Sequence, residues 1–404
     1  MFSGTRSDSK SILLVCLLLT SSLVFVFQPS DVLAGPDARW GPYITLKDGP
    51  TPVINWKSSE PGVGRVAYDR AAHYFSTGNF RQVVKEEKPG LFHHLTLSDL
   101  SPGTEYAYRI LSDGSGQVYR FRSYEKAPEA FQFFVYGDTQ TCPLRNRLVA
   151  SEMAADPASP AFILHAGDLV KSPVSSHWRD FFWANEPLLS SIPLVSALGN
   201  HERNDDSYYR ALELPKGGGD HGEEWYSFEY GPVNFIVLDS NAAQVGLKEF
   251  LAQSRWLEKE LEGQTRPGTV VLFHHPIYSS VYSTGVDSGL ERGWGSLFRK
   301  YGVDLVFSGH VHSYERIVRD GITYVVSGGG GGPSGMLRSK FDFSRRSRGD
   351  SLHYVRVTIS QSQMELEAIE VARVDYLEGV EDSPCSFALT LSRSVIDSTV
   401  VEFD

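Results

Sequence analysis

At 404 residues the chain is long enough for two domains, and 41% hydrophobic with 22% charged residues excludes both wholesale disorder and a polytopic membrane protein. A formal charge of −11 argues against a nucleic-acid scaffold, because phosphate backbones are gripped by clustered Lys and Arg. It leaves open small phosphate esters held through bound cations, which reverse the potential locally.

Residues 1–34 read as an export signal: Arg6 and Lys10 precede the apolar run SILLVCLLLTSSLVFVF, and DVLAG offers the small Ala34 for cleavage before Gly35. The expected product is secreted or periplasmic, with no stable membrane insertion after cleavage. Because the run is nearly long enough to span a bilayer, a retained N-terminal anchor is the alternative. Cys16 follows Val15, not a small residue, and does not look like a lipid-attachment site. Without the signal, Cys142 and Cys385 remain, and an oxidising compartment would let them pair.

Residues 36–126 alternate short strand-like runs with turn signals: PVINWKSS, GRVAYD, FRQVVKEE, LFHHLTLSDL, TEYAYRILSD and QVYRFRS. They predict a two-sheet β-sandwich of immunoglobulin-like size. His93 and His94 fall in these strands and read as sheet residues. From residue 131 the pattern changes to unbroken apolar runs (FQFFVY, AFILHA, IPLVSAL, NFIVLD, TVVLFH, VDLVFS, ITYVVS), as a sheet covered on both faces requires. Between them, LRNRLVASEMAA and LKEFLAQSRWLEKELEG carry helical periodicity, the second with Glu249, Glu258 and Lys259 on its polar side. Residues 131–370 thus predict a layered α/β domain, and 371–404 a C-terminal extension with one strand-like stretch, STVVEF. The glycine run SGGGGGP at 327–333 lacks the Lys-Ser/Thr ending of a nucleotide-binding loop and reads as a flexible turn that could line a site.

Five of these apolar runs end in polar metal-ligand types: GDTQ, GDLV, GNHE, HHP and GHVH. In layered α/β proteins, side chains just beyond strand C-termini converge on one crevice, so Asp138, Asp168, Asn200, His274, His310 and His312 could meet. Each motif glycine would let the backbone turn sharply where the ligand projects. Carboxylate, amide and imidazole together suit borderline ions such as zinc, iron and manganese. Two cations about 3.5–4 Å apart need a bridge, for which Asp168 is the candidate, and a hydroxide held between them would be the nucleophile. His201, beside Asn200, would meet the leaving oxygen as hydrogen-bond donor or general acid.

The ordered set GD, GD, GNHE, HHP, GHVH resembles the calcineurin-like metallophosphoesterases. GHVHSYER and GNHE are most similar to the purple acid phosphatase branch, whose N-terminal domain is fibronectin type III-like; LTLSDLSPGTEYAYRI, with Tyr106 and Tyr108 on one face, resembles the tyrosine-corner strand of such domains. The resemblance implies an αββα catalytic fold and two metal ions (Fe, Zn or Mn). Asp138, Asp168 and His312 would bind one ion, and Asp168, Asn200, His274 and His310 the other. It also implies hydrolysis of phosphate monoesters, with two alternatives: a phosphodiesterase on the same core, or a non-catalytic cell-surface binding protein with a vestigial metal site.

The chain departs from the family pattern at three places. Lys171 stands where purple members have a tyrosine, Gln140 stands where other branches have a histidine, and residues 276–293 lack the histidines that assist the leaving group in plant-like members. Gln140 and Lys171 are therefore candidates to ligate or to neighbour the first metal. Arg203 and His221 are candidates to touch substrate phosphate, each weighed against a surface role. His165 reads as a core histidine with a backbone partner, His275 as packing, and Glu315 and Arg316 as braces of the GHVH loop.

Overall fold

The computed structural model describes residues 40–49, 51–112, 116–241, 246–283, 285–333, 341–375, 385 and 388–403. The export signal and its cleavage point lie outside the described residues, apart from the backbone of two short paired strands, Cys16–Leu19 and Ser22–Phe25. Among the described residues no helix is long and apolar enough to cross a membrane.

All six strand-like runs of the N-terminal region form strands: Thr51–Gly62, Arg65–Arg70, Gln82–Lys85, Gly90–Thr96, Glu105–Ile110 and Tyr119–Arg122. Inward side chains of two facing sheets make the core, among them Ile44, Ile54, Trp56, Val66, Tyr108 and Phe121. The Tyr106 hydroxyl accepts the Ser101 N–H at 3.0 Å, the local clamp expected of a tyrosine corner. Tyr108 reaches out of the sandwich and donates to the Ser190 carbonyl at 2.7 Å. His93 is buried against Glu86 at 2.7 Å, and His94 lies 2.7 Å from Asn55 Oδ1, as sheet residues should.

The sandwich is not a separate body. Its strand Trp40–Lys47 pairs in parallel with Leu194–Ser196, so one nine-stranded sheet crosses from one region into the other. The strand order is Ala388–Glu402, Gln363–Asp375, Ser351–Ile359, Phe131–Tyr136, Ile163–His165, Leu194–Ser196, Trp40–Lys47, Thr51–Gly62, Gly90–Thr96. Helix Ser175–Leu189 seals this junction: Phe182 stacks on Tyr43 at 3.8 Å and packs on Trp40 at 5.1 Å.

A second sheet of seven strands runs Tyr226–Tyr230, Val233–Val237, Gly268–Leu272, Leu305–Ser308, Ile322–Ser327, Tyr314–Arg319, Ser344–Arg348. Its apolar face packs on that of the nine-stranded sheet through aromatic side chains. Phe133 and Phe162 of the first sheet meet Phe235 of the second edge-on at 5.4 and 5.2 Å. Helices Pro143–Ala154 and Leu247–Glu262 match the two predicted helical stretches, the second burying Gln253, Leu257 and Leu261. Helices outside two facing sheets are the expected αββα layering.

Residues beyond 370 have a structural part that their sequence does not announce. Strand Gln363–Asp375 runs through residue 370, and Ala388–Glu402 pairs with it antiparallel. From that edge, Asp397 accepts from Arg316 (2.6 and 3.0 Å) and from the Tyr314 hydroxyl (2.7 Å), both in the other sheet. Cys385 forms a disulfide with Cys142, which precedes helix Pro143–Ala154, with 5.5 Å between Cα atoms. Asp397→Ala should destabilise the protein by about 3 kcal/mol, because Arg316 keeps its charge in a largely buried place without its partner; a melting temperature equal to wild type would show that the clamp carries nothing. Cys385→Ser should cost about 2–4 kcal/mol in non-reducing denaturant titration, and loss of that difference under reductant identifies the bond as the source.

Candidate metal centre

The six candidate ligands sit on loops at the C-terminal ends of strands in both sheets. Asp138, Asp168 and Asn200 follow Phe131–Tyr136, Ile163–His165 and Leu194–Ser196; His274 follows Gly268–Leu272, and His310 and His312 follow Leu305–Ser308. Asp138, Asp168 and His310 all adopt left-handed backbone, with φ of 59°, 56° and 65°. Non-glycine residues seldom hold this conformation, at a cost of order 1 kcal/mol or more each, and do so where a site requires it. The motif glycines serve mainly to make room. A Cβ on Gly309 would lie 2.4 Å from Asp138 Oδ2, so the turns themselves fall largely on the ligand residues, contrary to the sequence expectation.

Main-chain contacts cross the seam between the sheets here. The His310 N–H donates to both Asp138 carboxylate oxygens at 3.0 and 2.9 Å, and His274 Nδ1–H donates to the Ala166 carbonyl at 2.8 Å. With Nδ1 committed, the neutral His274 ring turns the Nε2 lone pair toward Asn200 Oδ1 at 3.0 Å and Asp168 Oδ2 at 3.3 Å. His310 Nδ1 lies 3.1 Å from the same Asn200 oxygen. His312 is fixed likewise: Nδ1–H donates to the Pro333 carbonyl, and Nε2 faces Asp138 Oδ1 at 3.3 Å.

With His274 and His312 neutral, their Nε2 lone pairs thus meet the oxygens of Asn200, Asp168 and Asp138, an arrangement that positive charge between the donors would relieve. Cation–donor bonds of about 2.1 Å place neighbouring donors about 3 Å apart, the spacing found here. The donor set therefore fits divalent cations. Ligand atoms of Asp138, Asp168 and His274 lie within 4.8 Å of one another, as do those of His274, His275 and His310. The protonation equilibria carry the same message. Although burial opposes both charged forms, the two partners shift each other, His274 up to about 10 and the Asp168 carboxyl well below its usual range. Burial together with His274 takes His310 down to about 4.

His201 stands at the rim. Its N–H donates to Asp168 Oδ1 (2.9 Å), its Nδ1–H to the Lys171 carbonyl (2.7 Å), and Nε2 lies 3.9 Å from Asp168 Oδ2 at a part-exposed position. Lys171 contributes this carbonyl; its side chain is exposed and makes no hydrogen bond or ion pair among the described residues. Gln140 is buried, with Nε2 at 3.1 Å from both Asp168 Oδ2 and His312 Nε2. Arg203 is exposed on left-handed backbone with φ 56°. His221 has both ring nitrogens engaged, by Glu224 and Asp206 at 3.1 Å each, and stacks on Tyr209.

Other expectations are refined. His165 is a core histidine, but its partner is the Thr139 hydroxyl at 3.1 Å, not backbone. His275 packs inward, where Ser240 accepts its main-chain N–H and meets Nδ1, both at 2.9 Å. Glu315 braces the loop after His274, accepting the Ser280 N–H at 2.8 Å, while Arg316 turns to Asp397. The glycine run is a buried wrap around the first ligand loop, not a flexible turn: Gly330 N–H donates to Gly137 O and Gly332 N–H to Asp138 O. A Cβ on Gly330 would lie 2.4 Å from Gly137 O, which is why the wrap is glycine.

Glu202, which ends the GNHE motif, has a part that the sequence alone does not announce. Its carboxylate accepts N–H groups of Asp168 (3.0 Å), Gly199 (2.8 Å) and Val170 (3.1 Å), tying the second ligand loop to the third. Burial and the nearby Asp168 charge raise its pKa to about 8.

Residues 131–314 match the calcineurin-like phosphoesterase family, and residues 41–123 the purple acid phosphatase N-terminal domain. Acid phosphatase type 7 of Mus musculus is 30% identical over 253 residues, 56% of this chain and 56% of that protein. Fe(3+)-Zn(2+) purple acid phosphatase 12 of Arabidopsis thaliana is 32% identical over 256 residues, 57% of this chain and 53% of its own. The chain thus spans a little over half the length of these relatives. The solved structure of purple acid phosphatase PPD1 from yellow lupin superposes with a TM-score of 0.70 at 20% identity, over 90% of this chain and 74% of that one. Residues 131–314 thus form a calcineurin-like phosphoesterase domain, preceded over residues 41–123 by the N-terminal domain of purple acid phosphatases.

Proposed function

We propose that the protein is an exported phosphatase that hydrolyses small phosphate monoesters with two metal ions. The carrying observation is the set of imidazole nitrogens and carboxylate and amide oxygens about 3 Å apart, supplied by loops of both sheets. Asp138, Asp168 and His312 would hold one ion, and Asp168, Asn200, His274 and His310 the other, with Asp168 shared. When bound, the ions would supply Lewis acidity toward phosphoryl oxygens and lower the pKa of water at the site. A relative whose name specifies Fe(3+) and Zn(2+) supports iron or zinc here; the exposed Lys171 in place of a tyrosine predicts a colourless iron form.

The chain's own groups orient and exclude. Ala166 and Pro333 carbonyls fix the His274 and His312 tautomers, so that Nε2 of each ring faces inward. Glu202 holds the Asp168 and Asn200 loops at fixed separation. His201, its Nδ1 held by the Lys171 carbonyl, would use Nε2 on the leaving oxygen, as a donor when protonated. With no histidine in residues 276–293, this task falls more heavily on His201.

His201→Ala should lower turnover of nitrophenyl phosphate about 10²-fold or more while bound metal, read by elemental analysis, stays at two per chain; an unchanged rate removes His201 from the mechanism. On nitrophenyl phosphate and bis-nitrophenyl phosphate side by side, the wild type should favour the monoester in kcat/KM. The opposite preference would make it a phosphodiesterase, and turnover of neither by metal-replete protein would leave a binding role.

A further inference from the structure

Gln140 occupies the place where the first cation would need another donor, and its amide is arranged unusually. The residue is 3% exposed, Nε2 bridges Asp168 Oδ2 and His312 Nε2, and Oε1 is buried with no hydrogen-bond partner among the described residues. An amide nitrogen cannot ligate a metal, whereas the oxygen can. As oriented, two N–H groups satisfy two of the lone pairs that a cation would satisfy, at the expense of leaving a buried carbonyl oxygen unsatisfied, which typically costs about 1–3 kcal/mol. A cavity of about 160 Å³, lined by Thr139, Gln140, Thr141, Lys171, His177 and Asp180 among others, adjoins the residue and gives its end group room to rotate.

From this geometry we propose that the Gln140 amide is a two-position element of the first cation site: N–H groups hold Asp168 and His312 together while the site is empty, and rotation presents Oε1 as a ligand when a cation enters. The inference rests on the two-ion reading above and adds a residue to it. It explains how neutral Gln140 can stand in place of a histidine at this centre without collapsing it. The first ion must displace two hydrogen bonds, whereas Asn200, the amide of the second set, already turns Oδ1 toward His274 and His310, so the first site binds more weakly.

Metal-depleted full-length protein titrated with Mn2+ by calorimetry, with electron paramagnetic resonance to detect coupled ions, tests this. Wild type should take up two Mn2+ with separated affinities and show a coupled pair at saturation. Gln140→Ala should weaken the second uptake step tenfold or more and leave the first unchanged. Gln140→Glu, which keeps an oxygen and has no N–H to displace, should tighten that step relative to wild type. Thermal melting of the metal-free variants checks that they fold, and if Gln140→Ala does not, Gln140→Glu carries the test. Weaker-site affinity in Gln140→Ala equal to or above wild type, with two ions bound, overturns the Gln140 role alone. The same holds for a Gln140→Glu site no tighter than wild type. A single ion in wild type, whatever the variant, overturns the two-ion reading as well.

Discussion

Packing between the two sheets is the constraint on which the centre depends. Neither sheet owns a complete donor set: one brings Asp138, Asp168 and Asn200, the other His274, His310 and His312. The aromatic layer of Phe133, Phe162 and Phe235 fixes the distance between them, since rings in edge-on contact tolerate little change in separation. Contacts from His310 N–H to Asp138 and from His274 to Ala166 then set the register at the rim. Folding and assembly of the site are therefore a single event, and side chains 174 positions apart become neighbours only after the apolar layer has closed.

Electrostatics reinforces that dependence. A chain with net charge −11 concentrates two carboxylates and several imidazole lone pairs in one buried crevice. Such a cluster repels itself unless positive charge enters, either as protons on the rings or as cations between them. The upward shift of His274 against the downward shift of Asp168 shows how strongly the crevice draws that charge. Glu202 adds tethers between the ligand loops, and burial with the nearby Asp168 charge shifts its carboxyl toward the neutral form.

Much of this was legible in the residues alone. Unbroken apolar runs marked sheet strands because both faces are covered, and polar motifs at their ends marked the crevice because strand ends are where an α/β sheet opens. Helix Ser175–Leu189 was harder to see, since its aromatic cluster spreads around the helix and Pro187 interrupts the pattern near its end. Strand Trp40–Lys47 and its bridge to Leu194–Ser196 were hidden because parallel partners leave no mark on each other's sequence. The tail was opaque for the same reason: its role lies in Asp397 and Cys385 reaching residues far away in the chain. Glycine spacing suggested where the loops turn, yet the left-handed strain falls on Asp138, Asp168 and His310, and side-chain identity carries no record of backbone angle.

That last feature constrains how such a centre can decay over evolutionary time. At positions 138 and 168 a replacement must suit a left-handed backbone as well as the surrounding packing, and only asparagine and glycine meet the first demand at small cost. Descendants that abandon chemistry while keeping the scaffold should accordingly drift toward Asn or Gly at these two places and avoid β-branched residues, leaving an erosion pattern that backbone geometry, and not ligand chemistry, dictates.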